Sequence, residues 1–181
     1  MADDGPTQQQ IRDQLGVKIN VGDVRTIQDA DILWPNFSGA KDKFNNEGDR
    51  NFNLRLTRQE ADEFTDEGWN VKCKLARPND PDQDGEERCV LKVTVNYGNR
   101  PPKIVMIGSK TRNRTELGAD IAGLIDSAEI VECDLSFVPY FWYIKATDSM
   151  GVAAYLKTMY VVVREDELDQ KWAEEPVEDH A

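Results

Sequence analysis

Arg88-Cys89-Val90-Leu91-Lys92-Val93-Thr94-Val95-Asn96-Tyr97 decides the fold class, because apolar and polar side chains alternate along it. Cys89, Leu91, Val93, Val95 and Tyr97 fall on one side, and Arg88, Lys92, Thr94 and Asn96 on the other. Side chains that repeat every second residue describe a strand with one face buried. Gly98-Asn99 breaks it. Upstream, residues 51–57 put Phe52, Leu54 and Leu56 opposite Asn53 and Arg55. Residues 70–77 put Val71, Cys73 and Leu75 inward and Lys72 and Lys74 outward. Residues 103–107, 129–143 and 152–163 read as further strands, and 32–37 as a first strand or its approach.

A helix should follow residue 57. Thr57 and Glu60 have the spacing of a capping box, Ala61 and Phe64 make a short apolar stripe, and Gly68 can end the helix left-handed. A second short helical stretch is expected around residues 119–125. About six strands with one or two short helices predict a mainly β fold, a small antiparallel barrel or sandwich. Alternating faces exclude a doubly wound parallel sheet, whose strands are apolar throughout. An OB-fold-like barrel is the natural candidate, since it tolerates inserted helices and offers one strand face to ligands. The expected organisation is a flexible N-terminal arm over 1–30, a domain over 31–164 and an acidic tail over 165–181. Such a tail, rich in charge and poor in apolar residues, is expected to be disordered.

Net charge is −12, which at first argues against a nucleic-acid binder. Its distribution reverses that. Residues 165–181 hold eight acids and one base, and residues 1–31 contribute a further −3, leaving the body near neutral at −2. Arg88, Lys92, Arg100, Lys103, Lys110, Arg112 and Arg114 share residues 88–115 with no acid at all. Local positive potential, rather than net charge, attracts phosphate. A solvated sheet face would give a similar run. Cys73, Cys89 and Cys133 form no close pair and each sits in an apolar run, so all three are expected to pack as free thiols, without a disulfide framework or zinc site. With no signal-like N-terminus, a cytoplasmic location is the default expectation.

Catalytic signatures are lacking. The only histidine is His180, Lys110-Thr111 follows no phosphate-cradling glycine loop, and no close carboxylate set marks a metal nuclease. Asp80-Pro81-Asp82-Gln83-Asp84-Gly85 imitates the start of a calcium loop, but Leu91 stands where a bidentate glutamate is needed, so a hairpin turn is favoured. No cofactor or metal is expected. The cluster Phe137, Tyr140, Phe141, Trp142, Tyr143 is more informative. If Val131, Cys133, Leu135 and Phe137 face the core, alternation sends Tyr140 and Trp142 to the opposite side. Rings beside cations suit single-stranded DNA, since bases stack on the rings while Lys and Arg follow the backbone. A bend at Pro139 that uses the rings to close the barrel is the competing reading.

Val138-Pro139-Tyr140-Phe141-Trp142, followed by Gly151, Ala153 or Ala154, Leu156 and Val161-Val162-Val163 before an acidic tail, is similar to podovirus single-stranded DNA-binding proteins. The segment 102–110 ending Gly108-Ser109-Lys110, and Gly48-Asp49-Arg50-Asn51-Phe52, resemble that family too. The resemblance implies an OB fold whose groove binds single-stranded DNA in phage replication and recombination, with contacts at Arg50, Lys92 and Tyr140 and Trp142 adjacent. It implies a tail that competes with DNA and docks DNA polymerase or primase-helicase. Family tails end in an aromatic residue, whereas here Trp172 is the only aromatic in the tail and the chain ends Glu178-Asp179-His180-Ala181.

The expected interface is therefore Arg50, Lys72, Lys74, Lys92, Arg100, Lys103, Lys110, Arg112, Arg114, Tyr140 and Trp142. The expected partner is single-stranded DNA, in the host cytoplasm during infection, with a homodimer also allowed and no membrane involved. Two rivals stay open: a β-sandwich virion structural or assembly protein, and a metal-dependent nuclease using scattered acids.

Overall fold

The computed structural model describes residues 5–43, 45–75, 87–98 and 100–166. Its backbone is a long hairpin of β8 (Ile130–Ile144) and β9 (Ser149–Val163), paired from Ile144↔Ser149 back to Ile130↔Val163. The second edge of β9 is shared between two partners. β5 (Glu87–Thr94) pairs with it at Val93↔Ala154 and Thr94↔Tyr155, and β6 (Lys103–Gly108) takes over from Lys103↔Thr158 to Gly108↔Val163. β5 continues antiparallel to β3 (Asn51–Leu56), which pairs with β2 (Asp31–Asn36). β4 (Val71–Leu75) lines the opposite edge of β5, β7 (Arg114–Glu116) pairs with β6, and β1 (Arg25–Ile27) pairs with β8.

The described residues are thus mainly β with a few short helices, as the patterning implied, and their strands form one nine-stranded open sheet. It is mixed rather than purely antiparallel, because both β5 and β6 run parallel to β9. The alternation of one-sided strands is the same in either direction, and only the crossover connections set the sense.

The core lies on one face, around Phe37, Phe52, Phe64, Phe137 and Phe141, all at most 1% exposed. Helix α2 (Arg58–Glu67) forms where its signals predicted. The Thr57 hydroxyl accepts from the Glu60 amide, the Glu60 carboxylate accepts from the Thr57 amide, and Gly68 closes the helix at φ 116°. Any Cβ on Gly68 would collide with Val17. Ala61 and Phe64 face inward, and Phe64 and Trp69 both meet the Phe137 ring edge-on, at 6.3 and 5.0 Å. The second expected helical stretch is a 3-10 helix, Ala122–Ser127.

Four expectations are corrected. Residues 1–30 are not a loose arm throughout: α1 (Gln8–Leu15) carries its own capping box, Thr7 with Gln10, and buries Ile11, while β1 joins the sheet. Cys73 and Cys89 are not free thiols but a disulfide, since β4 and β5 set them directly opposite each other. Only Cys133 is free, and it is buried. Cys73 and Leu75 are exposed rather than inward-facing, on an edge strand that pairs with β5 alone among the described residues. Val131 is 55% exposed, because the β8–β9 register shifts between Ile130 and Glu132 and breaks the alternation there. The acidic turn expected over 78–87 lies outside the described residues except for Glu87, which opens β5, and so does the tail from residue 167.

Candidate nucleic-acid interface

The outward face of the sheet is read from register. Phe141 pairs with Val152 and both are buried, so Tyr140 and its partner Ala153 lie on the other side, with Tyr155 two residues along. Alternation holds straight through Pro139. The Phe141 amide, two residues on, points away from β9 and donates to the Gln8 side chain, whose own amide donates to the Phe141 carbonyl. The proline's missing N–H would point to that same edge, so no bond to β9 is lost. Tyr140 is 41% exposed and stacks on Tyr155, centroids 4.7 Å apart and planes 19° from parallel. Burial raises the Tyr155 hydroxyl pKa, with Tyr140 adding secondarily and Asn96, just past β5, opposing the rise. Trp142 shares the outward parity but is half-buried: its indole lies over Gly151, where an added Cβ would sit 2.5 Å from the ring.

Cations share this face. Lys92 is exposed on β5, and Lys72 and Lys74 are exposed on β4 opposite Val90 and Arg88. Lys103 opens β6 with its ammonium 6.0 Å from the Tyr160 ring centre. The outward side of β9 thus presents Ala153, Tyr155, Thr158 and Tyr160 in succession, flanked by Tyr140 and Lys103.

Lys110, Arg112 and Arg114 are exposed but stand apart, on the turn between β6 and β7 and the strand it leads into. That turn adjoins Val163, ten residues along β9 from the partner of Tyr140, or about 33 Å at a strand's rise. One acid reaches into it. The Glu165 carboxylate accepts from the amides of Lys110 and Thr111 and from the Thr111 hydroxyl, while Arg112 adopts φ 61°. Those amide bonds, first Lys110 and then Thr111, hold the Glu165 pKa below its ordinary value. Arg100 is exposed in the link between β5 and β6. Arg50 shares the parity of buried Phe52 but lies just before β3, so that parity does not bind it; it donates to the Phe37 carbonyl at 2.7 Å and covers the Tyr97 ring at 5.1 Å. One of its five N–H donors is thereby engaged inside the protein, and one face of the guanidinium is covered.

Sequence reading missed Tyr155 and Tyr160: Tyr155 alternates with buried Ala154 and Leu156, whereas the register shift after Leu156 inverts the parity that turns Tyr160 outward. It also missed that Asp29, Glu132 and Asp134 converge with carboxylate oxygens within 4.8 Å of one another. Cys73, Glu87 and Cys89 converge too, but the two sulfurs are committed to each other.

The single-stranded DNA-binding protein of bacteriophage Enc34, solved in complex with ssDNA, superposes with a TM-score of 0.47 at 13% identity, over 80% of this chain and 87% of that one. A C-terminal truncation of the same protein gives 0.46 at 13% identity, over 80% and 86%. The gp2.5 single-stranded DNA-binding protein encoded by bacteriophage T7 gives 0.37 at 9% identity, over 88% and 97%. No curated protein sequence matches the chain at a significant level. The family model for the phage ssDNA-binding domain matches residues 13–181, and this protein therefore belongs to that family of binding proteins, which are not enzymes.

Proposed function

We propose that this protein binds single-stranded DNA without sequence preference along the outward face of its sheet, as an OB-type groove would. The observation that carries the reading is the run of rings and cations on that one face: Tyr140 stacked on Tyr155, Lys103 beside Tyr160, and Lys72, Lys74 and Lys92 alongside. Each stacked base contributes about 1–3 kcal/mol whatever its identity, and the cations add a salt-dependent attraction for the backbone. The role proposed is protection and presentation of single strands in phage DNA replication and recombination, in the host cytoplasm. The acidic tail competes with DNA and docks DNA polymerase or primase-helicase. At the root of the tail the Glu165 carboxylate already accepts from the amides of the basic turn, as a phosphate oxygen would, which supports an anionic tail that takes up phosphate-like positions.

A titration with fluorescent oligo-dT in chelator tests the function. Tight binding without cleavage is the expected result. No binding would return the protein to a structural role in the virion, although its strands form one sheet rather than two stacked ones. Degradation that appears only with a divalent metal would point to Asp29, Glu132 and Asp134.

A further inference from the structure

We propose that Trp34 and Arg88 form a further nucleotide subsite on the same sheet face, the indole stacking one base of single-stranded DNA and the guanidinium pairing with its phosphate. The inference rests on the DNA-binding reading above and extends it across β5 to β2.

Trp34 is the most exposed large hydrophobic side chain among the described residues, at 57%. Strict alternation from Ile32, which pairs with buried Leu54, would turn the ring inward. Instead its backbone takes φ 51°, and the β2–β3 register shifts between Leu33 and Asn36. A bulky residue rarely adopts that conformation, and the position before a proline, here Pro35, is normally extended. The backbone is thus bent against its preferences to hold an indole in solvent. A core that needed the ring would have no use for that arrangement, and strained backbone of this kind clusters at ligand-binding sites.

Arg88 gives the second, independent observation. Its guanidinium lies over the Trp34 ring, 5.6 Å from the centroid, yet its Nε is buried without a hydrogen-bond partner. Among the described residues no carboxylate pairs with it, since neighbouring Glu87 is taken by Arg58. Directly across the ladder stands Lys74. Like charges directly opposite each other on paired strands repel. A half-buried guanidinium with no carboxylate partner among the described residues, facing the Lys74 ammonium across the ladder, leaves positive charge that an anion would offset. An aromatic plate beside it calls for a flat apolar ligand. A nucleotide of a single strand supplies both, and Lys92 on the outward side of β5 lies between this pair and Tyr155.

Trp34→Gly and Trp34→Phe separate function from structure. Glycine at φ 51° relieves the backbone, so W34G should melt at or above the wild-type temperature. It should nevertheless bind long oligo-dT about 5- to 150-fold more weakly. W34F should keep most of the affinity. Oligonucleotides too short to reach beyond Tyr140 and Tyr155 should bind W34G and wild type alike, so the deficit appears only above a threshold length. Arg88→Ala should lower the salt slope for long oligonucleotides by about 0.7. If the wild type binds and W34G matches it at every length, this subsite is refuted while the parent reading stands; the exposed indole would then serve a protein partner. A loss of affinity for short and long strands alike, in step with a lower melting temperature, would also overturn it. A wild type that binds no oligonucleotide refutes the parent reading and this one together.

Discussion

Replacing Tyr140 and its neighbour Phe141 by alanine, one at a time, contrasts the two faces of β8. Phe141 is fully buried, so F141A leaves a cavity and should cost about 3–5 kcal/mol of stability. For a chain of this size each kcal/mol is worth about 2–4 °C, so its melting point should drop by about 6–20 °C. Tyr140 is 41% exposed and its main packing partner is the Tyr155 ring at 4.7 Å. Losing that stack removes about 0.5–1.5 kcal/mol, the lower end applying because water reaches the pair. Y140A should therefore melt within a few degrees of wild type. Binding should invert the order. Y140A loses a stacking surface worth about 1–3 kcal/mol, a 5- to 150-fold weaker Kd for oligo-dT, while the folded fraction of F141A binds as wild type. Calorimetry gives the melting points and fluorescence anisotropy gives the affinities. Equal melting losses in the two variants, or a Y140A affinity unchanged from wild type, would refute the assignment of Tyr140 to a DNA-facing side.

Removing the chain from Glu165 onward should strengthen DNA binding at low salt, and the gain should fade as screening shortens to about 8 Å at physiological ionic strength; affinity unchanged at every salt concentration would sink tail competition. Because its folded pKa is lowered, Glu165 stabilises the turn above the ordinary glutamate value of 4.5 and stops doing so as pH falls through the folded value. The Thr111 amide shift followed by NMR should thus titrate with a midpoint below 4.5, and a midpoint at or above it would remove the contact. Burial pushes the Cys133 thiol up to about 12, so an alkylating reagent at mildly alkaline pH should leave the native protein unlabelled. Denatured without reductant the chain should take one label, and after reduction three; three labels without reductant would deny the Cys73–Cys89 bond.

The sheet was legible because its strands have one wet face: the alternation in β3 and β5 and the Thr57–Glu60 cap each lead to the element that forms. The parity that sends Tyr140 outward also survives Pro139, because the proline's nitrogen faces an edge closed by Gln8 rather than by β9. Other features depend on facts that a linear reading holds only weakly. Thr7 and Gln10 repeat the capping pattern of α2, and only the bland polarity around them suggested a loose arm. Cys73 and Cys89 are equidistant from Pro81 at the middle of the acidic turn, a symmetry that marks them as hairpin partners once register is considered. The basic run of residues 88–115 looked like one patch, yet β6 carries its last three cations to the far end of β9. Trp34 was hidden most completely, since its exposure comes from one left-handed backbone angle that no periodicity encodes.

The central claim is that rings and cations on one open sheet face hold single strands in preference to duplex, and the salt dependence of binding to oligo-dT and to a duplex of equal length tests it most directly. Bases in a duplex are stacked on one another and unavailable to Tyr140 and Tyr155, so the duplex retains only the phosphate attraction. Affinity for oligo-dT should fall linearly on a log–log plot with a slope of about −0.7 per phosphate contact, and should remain measurable at salt concentrations that abolish duplex binding. Equal affinities for the two ligands that vanish together as salt rises would contradict it, leaving a basic surface with no use for its rings.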